Sequence, residues 1–442
     1  SQWINGDNSG YSFGFEGPPG VGKTSMAKYG IAKCLLDANN NSRPFSFIAL
    51  GGSSNGTLLD GHNYTYVGST WGRIVDILME TKCMNPIIFV DELDKVSNTE
   101  NGKEIIGILT HLIDSTQNDC FQDKYFSGIN LDLSKALFIF SYNDVNLIDK
   151  ILLDRIHRIK FDSLSLNEKI TICENYLIPN ILKQMGLNKN ILVINEEILI
   201  YLINCYTFEA GVRKLKQILY EIVGLINVEL LKNYENPNNL INIPIVLTKE
   251  NIDNKYLKMK NKILKDEILD EPKVGVINGL WANSQGQGGI LPIECMYFPT
   301  NIFLEYKLSG MQGDIMKESM NVAKSLSWSL LDDKDKIKNM SKYKKKSMQG
   351  IHIHCPDGST PKDGPSAGAA ITTLLYSLLS NKKINNKMAI TGEISLNGNI
   401  LAIGGLELKF IGGIYAGITH FLYPYANRHD FNKFKEKYKY NK

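Results

Sequence analysis

The residues with the clearest chemical potential form one segment, Gly17-Pro18-Pro19-Gly20-Val21-Gly22-Lys23-Thr24. It follows an apolar run at 11–15 and precedes residues 25–36, which favour a helix. In a strand–loop–helix context, the backbone N–H groups of such a loop can close around a phosphate. Lys23 then supplies a positive charge to the outer phosphates, and the Thr24 hydroxyl is a ligand for Mg²⁺. The segment predicts a nucleotide site, with an ordinary glycine-rich turn as the alternative.

An acidic pair follows the apolar run 86–90, which suits a buried strand. Asp91 is suited to holding Mg²⁺ through water, and Glu92 to orienting the water that attacks the γ-phosphate. The alternative is a surface Asp-Glu pair at a strand end. A further apolar strand precedes Asn143, which could reach the same water. Because ligands of open α/β sheets bind at the carboxyl ends of strands, we expect Thr24, Asp91 and Asn143 to converge.

Arg155 lies just past these strands, in the sequence Leu-Leu-Asp-Arg. Its functional interpretation is a positive charge delivered to the γ-phosphate bound by a neighbouring subunit. The alternative is an arginine that only forms a salt bridge. The sequence alone leaves both open.

A second chemical centre surrounds Ser366, in a Gly-Pro turn just before the helix-forming run 367–379. Such a turn exposes a hydroxyl and leaves N–H groups at the helix start that can stabilise an oxyanion. Because Pro365 has no N–H group, the donors would come from Ser366 itself and a residue such as Gly364. Taken alone, a serine at this position is more often a helix N-cap.

The bulk properties narrow the class of protein. A chain of 442 residues exceeds what one hydrophobic core usually organises, which predicts two to four domains. The net charge of +3 requires neither a nucleic-acid nor a membrane partner, and no apolar run is long enough to cross a membrane. Seven cysteines without paired spacing indicate reduced thiols in a reducing, intracellular compartment, either the cytoplasm or an organelle matrix. His352 and His354 alternate in a strand-like run without a third ligand, so we interpret them as same-face polar residues.

The order of these motifs resembles the AAA+ ATPases: phosphate loop, Asp-Glu strand end, Asn-ended strand, then Leu-Leu-Asp-Arg. Subunits of that family form rings with nucleotide at each interface. The resemblance implies that Asn143 is the sensor-1 residue and Arg155 the arginine finger. Arg213 matches sensor 2, where the lid touches the phosphates. The alternative for Arg213 is a solvated surface charge.

The segment 61–69 resembles the pore-loop segment of the Lon branch of that family. Its aromatic–aliphatic pair, Tyr66 and Val67, is flanked by Gly68. Projecting into a central channel, the pair could grip an extended polypeptide by side-chain bulk without reading its sequence. The alternative is a loop tucked against its own domain.

The blocks 361–368, 391–394 and 403–409 closely resemble the Lon protease domain, in which a serine and a lysine form a catalytic dyad. The matching positions are Ser366 and Lys409. A lysine on an apolar stretch can have its charged form disfavoured by desolvation, and the neutral amine can then take the serine proton. Thr391 would orient that amine. The alternative for Lys409 is a surface lysine.

The resemblance covers almost the whole chain and implies three domains. We expect an α/β AAA+ nucleotide-binding domain at 1–160, a small all-α lid domain at 161–248, a junction at 249–273 and an α+β Lon-type peptidase domain at 274–442. We also expect that the large N-terminal region of Lon proteins and the C-terminal end of the peptidase domain are missing. A targeting segment could equally have been removed, because the chain does not begin with Met.

The implied activity is that of an ATP-dependent serine endopeptidase with ATP and Mg²⁺ as cofactors. It would unfold, translocate and degrade unfolded or damaged proteins, as a homo-oligomer that the resemblance makes a hexamer. The competing class is a remodelling ATPase or chaperone whose peptidase half is inactive. A third class, an ATPase tethered to nucleic acid, requires the lysine-rich runs to form one continuous patch.

Overall fold

The computed structural model describes residues 11–36, 40–51, 55–96, 100–235, 243–263, 268–283, 286–310, 312–344, 350–356 and 363–438. The chain forms two compact units. The first comprises Ser1–Ile194 and Glu209–Leu247, and the second comprises Asn195–Phe208 and Thr248–Lys442.

The first unit is built on a five-stranded, fully parallel sheet in the order β2-β3-β4-β1-β5. Its strands are β1 (Ser12–Glu16), β2 (Phe45–Ala49), β3 (Ile87–Asp91), β4 (Leu137–Tyr142) and β5 (His157–Lys160). Strands β3 and β4 are buried almost throughout, which explains why their sequences are continuous apolar runs and do not alternate with polar residues. The α/β architecture expected from the sequence is confirmed.

Helices cover this sheet and continue into a helical lid. The helical segments of the first unit are Lys23–Ser25, Met26–Ile31, Ala32–Cys34, Thr57–Asp60, Arg73–Thr81, Glu100–Ile113, Lys150–Leu153, Leu166–Ile172, Cys173–Leu177, Ile178–Gln184 and Arg213–Glu235, with short 3₁₀ turns at Leu93–Lys95, Val145–Leu147 and Lys189–Ile191. The capping box that Ser165 and Glu168 predict is present at the start of one lid helix. Two short strands, β6 (Leu192–Val193) and β7 (Ile245–Val246), pair in the same unit, so the lid is not purely helical.

The second unit contains a six-stranded mixed sheet in the order β10-β11-β9-β8-β12-β15 and a two-stranded sheet, β13-β14. The strands are β8 (Val276–Ala282), β9 (Gly288–Phe298), β10 (Tyr306–Ser309), β11 (Gly350–His354), β12 (Met388–Ile390), β13 (Glu393–Ile394), β14 (Ile400–Leu401) and β15 (His420–Leu422). Its helical segments are Glu196–Leu202, Ile203–Thr207, Lys249–Asn251, Ile252–Tyr256, Asp314–Ser329, Asp333–Lys344, Pro365–Ala367, Gly368–Ser380, Leu406–Ala416, Tyr425–Asn427 and Arg428–Tyr438. This is the α+β architecture that the sequence predicts.

The segment Asn195–Phe208 belongs to the second unit although it lies inside the predicted lid range. The Tyr415 hydroxyl donates a hydrogen bond to the carbonyl of Asn204, and Gln287 Nε2 donates one to the carbonyl of Phe208 over 2.9 Å. The predicted range 161–248 therefore contributes residues to both units.

The helix Leu406–Ala416 lies very close to strand β9. A Cβ at Gly412 would lie 2.1 Å from the Gly288 carbonyl oxygen, and one at Gly288 would lie 2.2 Å from the Leu408 carbonyl oxygen. Glycine is required at both positions because any side chain would collide with backbone. The approach fixes the height of Lys409 above the sheet, and Phe410 anchors the same helix turn among the aromatic rings of Phe421, Phe431 and Phe434.

All seven cysteines lie within the described residues, and no disulfide joins them. In that part of the chain, no helix combines the length and apolar character needed to span a bilayer.

His352 and His354 share a face of β11 and both contact the Ser309 hydroxyl, at 2.9 and 2.7 Å. The shared contact with one hydroxyl group shows that the two histidines are polar residues on the same face of β11, as the alternation predicts.

Candidate functional site

The phosphate loop of residues 17–24 connects β1 to the helix that begins at Lys23, as predicted. Gly20 and Gly22 have φ values of 79° and 98°, in the left-handed region that glycine adopts at little cost. Thr24 follows Lys23 in the first helical turn. The backbone is therefore shaped as a phosphate cradle requires.

The Lys23 side chain is 8% exposed and lies at the carboxyl edge of the sheet. Its ammonium group donates hydrogen bonds to Asn143 Oδ1 over 2.8 Å and to the carbonyl oxygens of Tyr142 and Gly17. Burial lowers the Lys23 pKa to about 8, although the nearby carboxylate of Asp91 counteracts this shift. The structure thus brings Asp91 and Asn143 together beside Lys23, and the convergence of the Thr24 side chain with them stays a prediction.

Asp91 is the last residue of β3, and its carboxylate accepts a hydrogen bond from the N–H group of Glu92 over 3.0 Å. Glu92 has φ 61°, an uncommon left-handed conformation for a side chain of this size. Its carboxylate lies against Gly51, where a Cβ would lie 1.7 Å from Glu92 Oε2, and forms an ion pair with Lys95. The acidic pair is therefore held at the sheet edge in a defined turn.

Arg155 forms an ion pair within its own subunit. Its Nε and Nη2 atoms donate to Asp114 Oδ2 over 3.2 and 3.1 Å, and Nη1 donates to the Ile151 carbonyl oxygen over 3.1 Å. The salt bridge that the sequence left open as an alternative is thus present. It leaves the arginine-finger role a prediction.

Arg213 is the first residue of the lid helix Arg213–Glu235, which begins directly on the phosphate loop. The N–H group of Val212 donates to the Gly20 carbonyl oxygen over 3.1 Å, and a Cβ at Gly20 would lie 3.0 Å from the Arg213 Cβ. The backbone of Arg213 therefore lies beside the predicted phosphate site. The apolar stripe of the same helix is buried at Leu215, Leu219, Ile222 and Ile226, as its spacing predicts.

Tyr66 and Val67 lie in a loop closed at its base by a hydrogen bond from the His62 N–H group to the Thr70 carbonyl oxygen, over 3.0 Å. Tyr66 is 67% exposed and Val67 is fully exposed. Neither side chain is tucked against its own domain, so the geometry matches a projecting loop. Contact with a polypeptide remains a prediction.

In the second unit, three residues far apart in sequence meet through their side chains. Lys409 Nζ lies 2.9 Å from Ser366 Oγ and 3.1 Å from Thr391 Oγ1. The Thr391 hydroxyl donates in turn to the Ser366 carbonyl oxygen over 3.3 Å, which leaves its lone pairs directed to the amine. The predicted orienting contact of Thr391 with Lys409 is therefore present.

Lys409 is 4% exposed and lies in the apolar helix Leu406–Ala416. Burial lowers its pKa to about 8, because an ammonium group loses its hydration in this site. A surface lysine, the alternative considered from the sequence, is therefore wrong. A substantial fraction of the amine is neutral at mildly alkaline pH, and a neutral amine can accept a proton from a hydroxyl group.

The backbone around Ser366 is tied to the segment between β12 and β13. The N–H group of Gly392 donates to the Ser366 carbonyl oxygen over 2.8 Å, and the Ser319 hydroxyl donates to the Pro365 carbonyl oxygen over 3.4 Å. Gly364 has φ 143°, so the turn uses glycine's backbone freedom. Gly364 and Ser366 as oxyanion donors remain a prediction.

Three segments of the chain match models of known protein families. Residues 13–163 match the model of the ATPase family associated with various cellular activities (AAA), and residues 183–237 match the Lon protease AAA+ ATPase lid domain. Residues 246–441 match the Lon protease (S16) C-terminal proteolytic domain. The chain belongs to the Lon protease family.

Curated relatives agree with this family. A Lon protease homolog of Acanthamoeba polyphaga mimivirus is 37% identical, over 99% of this chain and 47% of the relative. Lon proteases of Campylobacter jejuni and Campylobacter concisus are 39% and 36% identical, over 93% and 95% of this chain and 50% and 51% of their own lengths. The chain thus spans about half the length of the curated Lon relatives it matches.

Sequence reasoning missed one residue beside the candidate nucleotide site of this Lon-family chain. Asp94 Oδ2 accepts hydrogen bonds from the N–H groups of Asn143 and Asp144, over 3.0 and 3.2 Å. Asp94 thereby joins the end of β3 to the end of β4. Its position in the acidic run after β3 was a signal that it lies near the site. Its partner could not be predicted, because the Asn143 N–H group is 49 positions away in the chain.

Proposed function

We propose that this chain is the motor and peptidase portion of an ATP-dependent serine endopeptidase that unfolds, translocates and degrades proteins. The observation that carries the proposal is the 2.9 Å contact between Ser366 Oγ and the buried Lys409 Nζ, in a chain that also has a complete phosphate loop. Membership of the Lon protease family supports the same conclusion.

The peptidase chemistry follows from the protonation of Lys409. The neutral amine accepts the Ser366 proton while Oγ attacks the carbonyl carbon of the scissile bond. The ammonium then gives this proton to the leaving amine, and an acyl-enzyme ester remains on Ser366. Water, deprotonated by Lys409, hydrolyses the ester and restores the Ser366 hydroxyl. Thr391 orients the amine throughout by accepting its second hydrogen bond.

Different residues of the nucleotide site serve the binding of ATP and its hydrolysis. The loop N–H groups and Lys23 bind phosphate oxygens, Glu92 orients water, and Asn143 and Arg213 contact the γ-phosphate region. The oxygen ligands of Thr24 and Asp91 form the donor set that Mg²⁺ prefers. When bound, Mg²⁺ would supply positive charge that offsets the negative charge of the phosphates.

The assembly that we propose is a homo-oligomer, a hexamer by resemblance, in which Arg155 reaches the nucleotide of the neighbouring subunit. Hydrolysis moves the exposed Tyr66–Val67 loop and draws an unfolded or damaged protein inward. The exposure of both side chains supports this role.

The test compares casein degradation and ATP turnover in the parent protein and two variants. We expect Ser366→Ala to abolish cleavage and to keep ATP turnover. Glu92→Gln should abolish ATP turnover and every ATP-dependent degradation. Continued cleavage by the Ser366→Ala protein would overturn the dyad, and ATP turnover without cleavage by the parent would favour the remodelling ATPase.

A further inference from the structure

The loop that carries Tyr66 and Val67 is held at its base by a buried carboxylate elsewhere in the first unit. Asp123 is 0% exposed, and its Oδ2 accepts a hydrogen bond from the N–H group of Gly72 over 2.8 Å. Its Oδ1 accepts one from the N–H group of Tyr125 over 2.8 Å. Both carboxylate oxygens are therefore used, one for the loop and one for the segment that contains Asp123.

The loop base is packed so closely around this carboxylate that two of its positions have no room for a side chain. A Cβ at Gly61 would lie 2.8 Å from Asp123 Oδ1 and 2.8 Å from the Gly72 nitrogen, and one at Gly72 would lie 2.2 Å from the Leu59 carbonyl oxygen. Gly61, with φ 78°, and Gly72 therefore bring the two ends of the loop together around Asp123. The carboxylate closes the loop at the point where the helix Arg73–Thr81 begins.

Ring contacts and ion pairs also join residues 124–126 to the two ends of the loop and to the helix Glu100–Ile113. Trp71 stacks on Phe126 and meets the edge of Tyr125, at centroid distances of 6.0 and 5.8 Å. Lys124 forms ion pairs with Asp60 and Glu104 over 3.0 and 3.1 Å, and its N–H group donates to the Asp60 carbonyl oxygen. We call residues 121–131 the bracing hairpin, because Phe121 and Leu131 pair at its base.

The joined segments lead to adjacent strands that end at the nucleotide site. The loop continues through the helix Arg73–Thr81 into β3, which ends at Asp91 beside Glu92. The bracing hairpin continues into β4, which ends beside Asn143. Strands β3 and β4 are paired from Ile87 with Leu137 to Val90 with Phe140. Asp123 thus joins two segments that lead into the strands ending beside Glu92 and Asn143.

We propose that Asp123 is a positioning residue that fixes the Tyr66–Val67 loop on the bracing hairpin, so that movement at the nucleotide site reaches an extended polypeptide held by the loop. This inference rests on the proposed function. A loop without the brace follows the sheet poorly, so ATP is hydrolysed with less polypeptide moved per turnover.

The test uses the full chain with Asp123→Asn, which keeps one oxygen acceptor and turns an amide NH₂ toward a backbone N–H donor. The matched control is Asp132→Asn. Asp132 is an exposed aspartate in the same region whose carboxylate accepts the Ser134 N–H over 2.9 Å, the same local turn without the loop contact. Measured quantities are casein degradation, cleavage of a short fluorogenic peptide, and ATP turnover with and without casein.

We expect Asp123→Asn to lower casein degradation per ATP by roughly tenfold, while short-peptide cleavage and basal ATP turnover stay within about twofold. Asp132→Asn should match the parent. In a Tyr66→Ala background, Asp123→Asn should add no further loss, because both changes act through one loop. A purely structural role would instead lower all three activities and add to the Tyr66→Ala effect.

A second variant covers the case in which Asp123→Asn does not fold. Lys124→Ala removes the half-exposed ion pairs to Asp60 and Glu104. It should lower casein degradation per ATP by a smaller factor and leave short-peptide cleavage and basal ATP turnover unchanged. Unchanged casein degradation per ATP in the folded Asp123→Asn protein, or in Lys124→Ala where the first does not fold, overturns the inference. If Tyr66→Ala also leaves degradation unchanged, the proposed pore-loop function itself is wrong, which distinguishes the two failures.

Discussion

The amine nitrogen of Lys409 lies 2.9 Å from the hydroxyl oxygen of Ser366, although the two residues are 43 positions apart in the chain. The helix that carries Lys409 is pressed against β9, and the turn that carries Ser366 is tied to Gly392. The contact is therefore held by backbone packing on both sides. The packing that buries the amine and lowers its pKa also fixes its position beside the hydroxyl.

The pH dependence of peptide cleavage should report Lys409. Since the base acts in its neutral form and its pKa is about 8, kcat/KM for a short peptide should rise about tenfold per pH unit below 8 and level off above it. Lys23 also has a pKa of about 8 but binds phosphate in its charged form, so its titration would weaken ATP binding as the pH rises. Opposite slopes for cleavage and ATP binding are the expected result. A cleavage rate that falls through pH 8 contradicts the role of Lys409.

The buried Lys409 should also lower the free energy of unfolding near neutral pH. The folded-state pKa of about 8 is below the ordinary value of 10.5, so the folded state binds fewer protons between these values, and stability rises with pH across that window. We expect Lys409→Met to raise the free energy of unfolding at pH 7 by about 1–3 kcal/mol. Denaturant titrations at pH 7 and 9.5 should show the difference shrinking at the higher pH. An equal difference at both values contradicts the titration of a buried amine.

Thr391→Val should reduce cleavage without disturbing the fold. The change is nearly isosteric but removes the acceptor 3.1 Å from Lys409 Nζ, so the amine loses its orientation and kcat should fall about tenfold, with a smaller change in KM. The control is Thr373→Val, whose hydroxyl bonds to the Ala369 carbonyl inside the helix Gly368–Ser380. Steady-state kinetics on a short peptide measures both. Equal losses in the two variants would point to general packing damage.

Arg155→Ala should abolish ATP turnover while nucleotide still binds, because the charge is needed by the neighbouring subunit. The matched control is Arg158→Ala, which breaks a comparable ion pair with Glu16. Mixing Arg155→Ala with Glu92→Gln subunits should restore part of the ATP turnover that each lacks alone, since each supplies what the other is missing. If the mixture stays inactive although mixed oligomers form, Arg155 acts only within its own subunit, through Asp114.

Much of the first unit could be predicted from local sequence. The apolar runs of β3 and β4 are continuous because both faces are covered, and the glycines of the phosphate loop sit where the backbone needs positive φ. The capping box at Ser165 and the buried stripe of Arg213–Glu235 depend on residues three or four apart, so their signals are local. The place of Asn195–Phe208 could not be predicted, because it depends on contacts with Gln287 and Tyr415.

The sequence by itself determined which residues are the candidates for the chemistry: the phosphate loop, Asp91, Glu92, Asn143, and the matched pair Ser366 and Lys409. Only the tertiary structure decided the protonation of these side chains and the contacts that hold them in place. Burial, which lowers the pKa of Lys409, depends on helix-to-strand packing at Gly288 and Gly412. The roles of Asp94 and Asp123 depend on backbone N–H groups 49 and 51 positions away. An aspartate in a surface turn and a buried aspartate that holds a loop look the same in the sequence. Only the fold distinguishes the two.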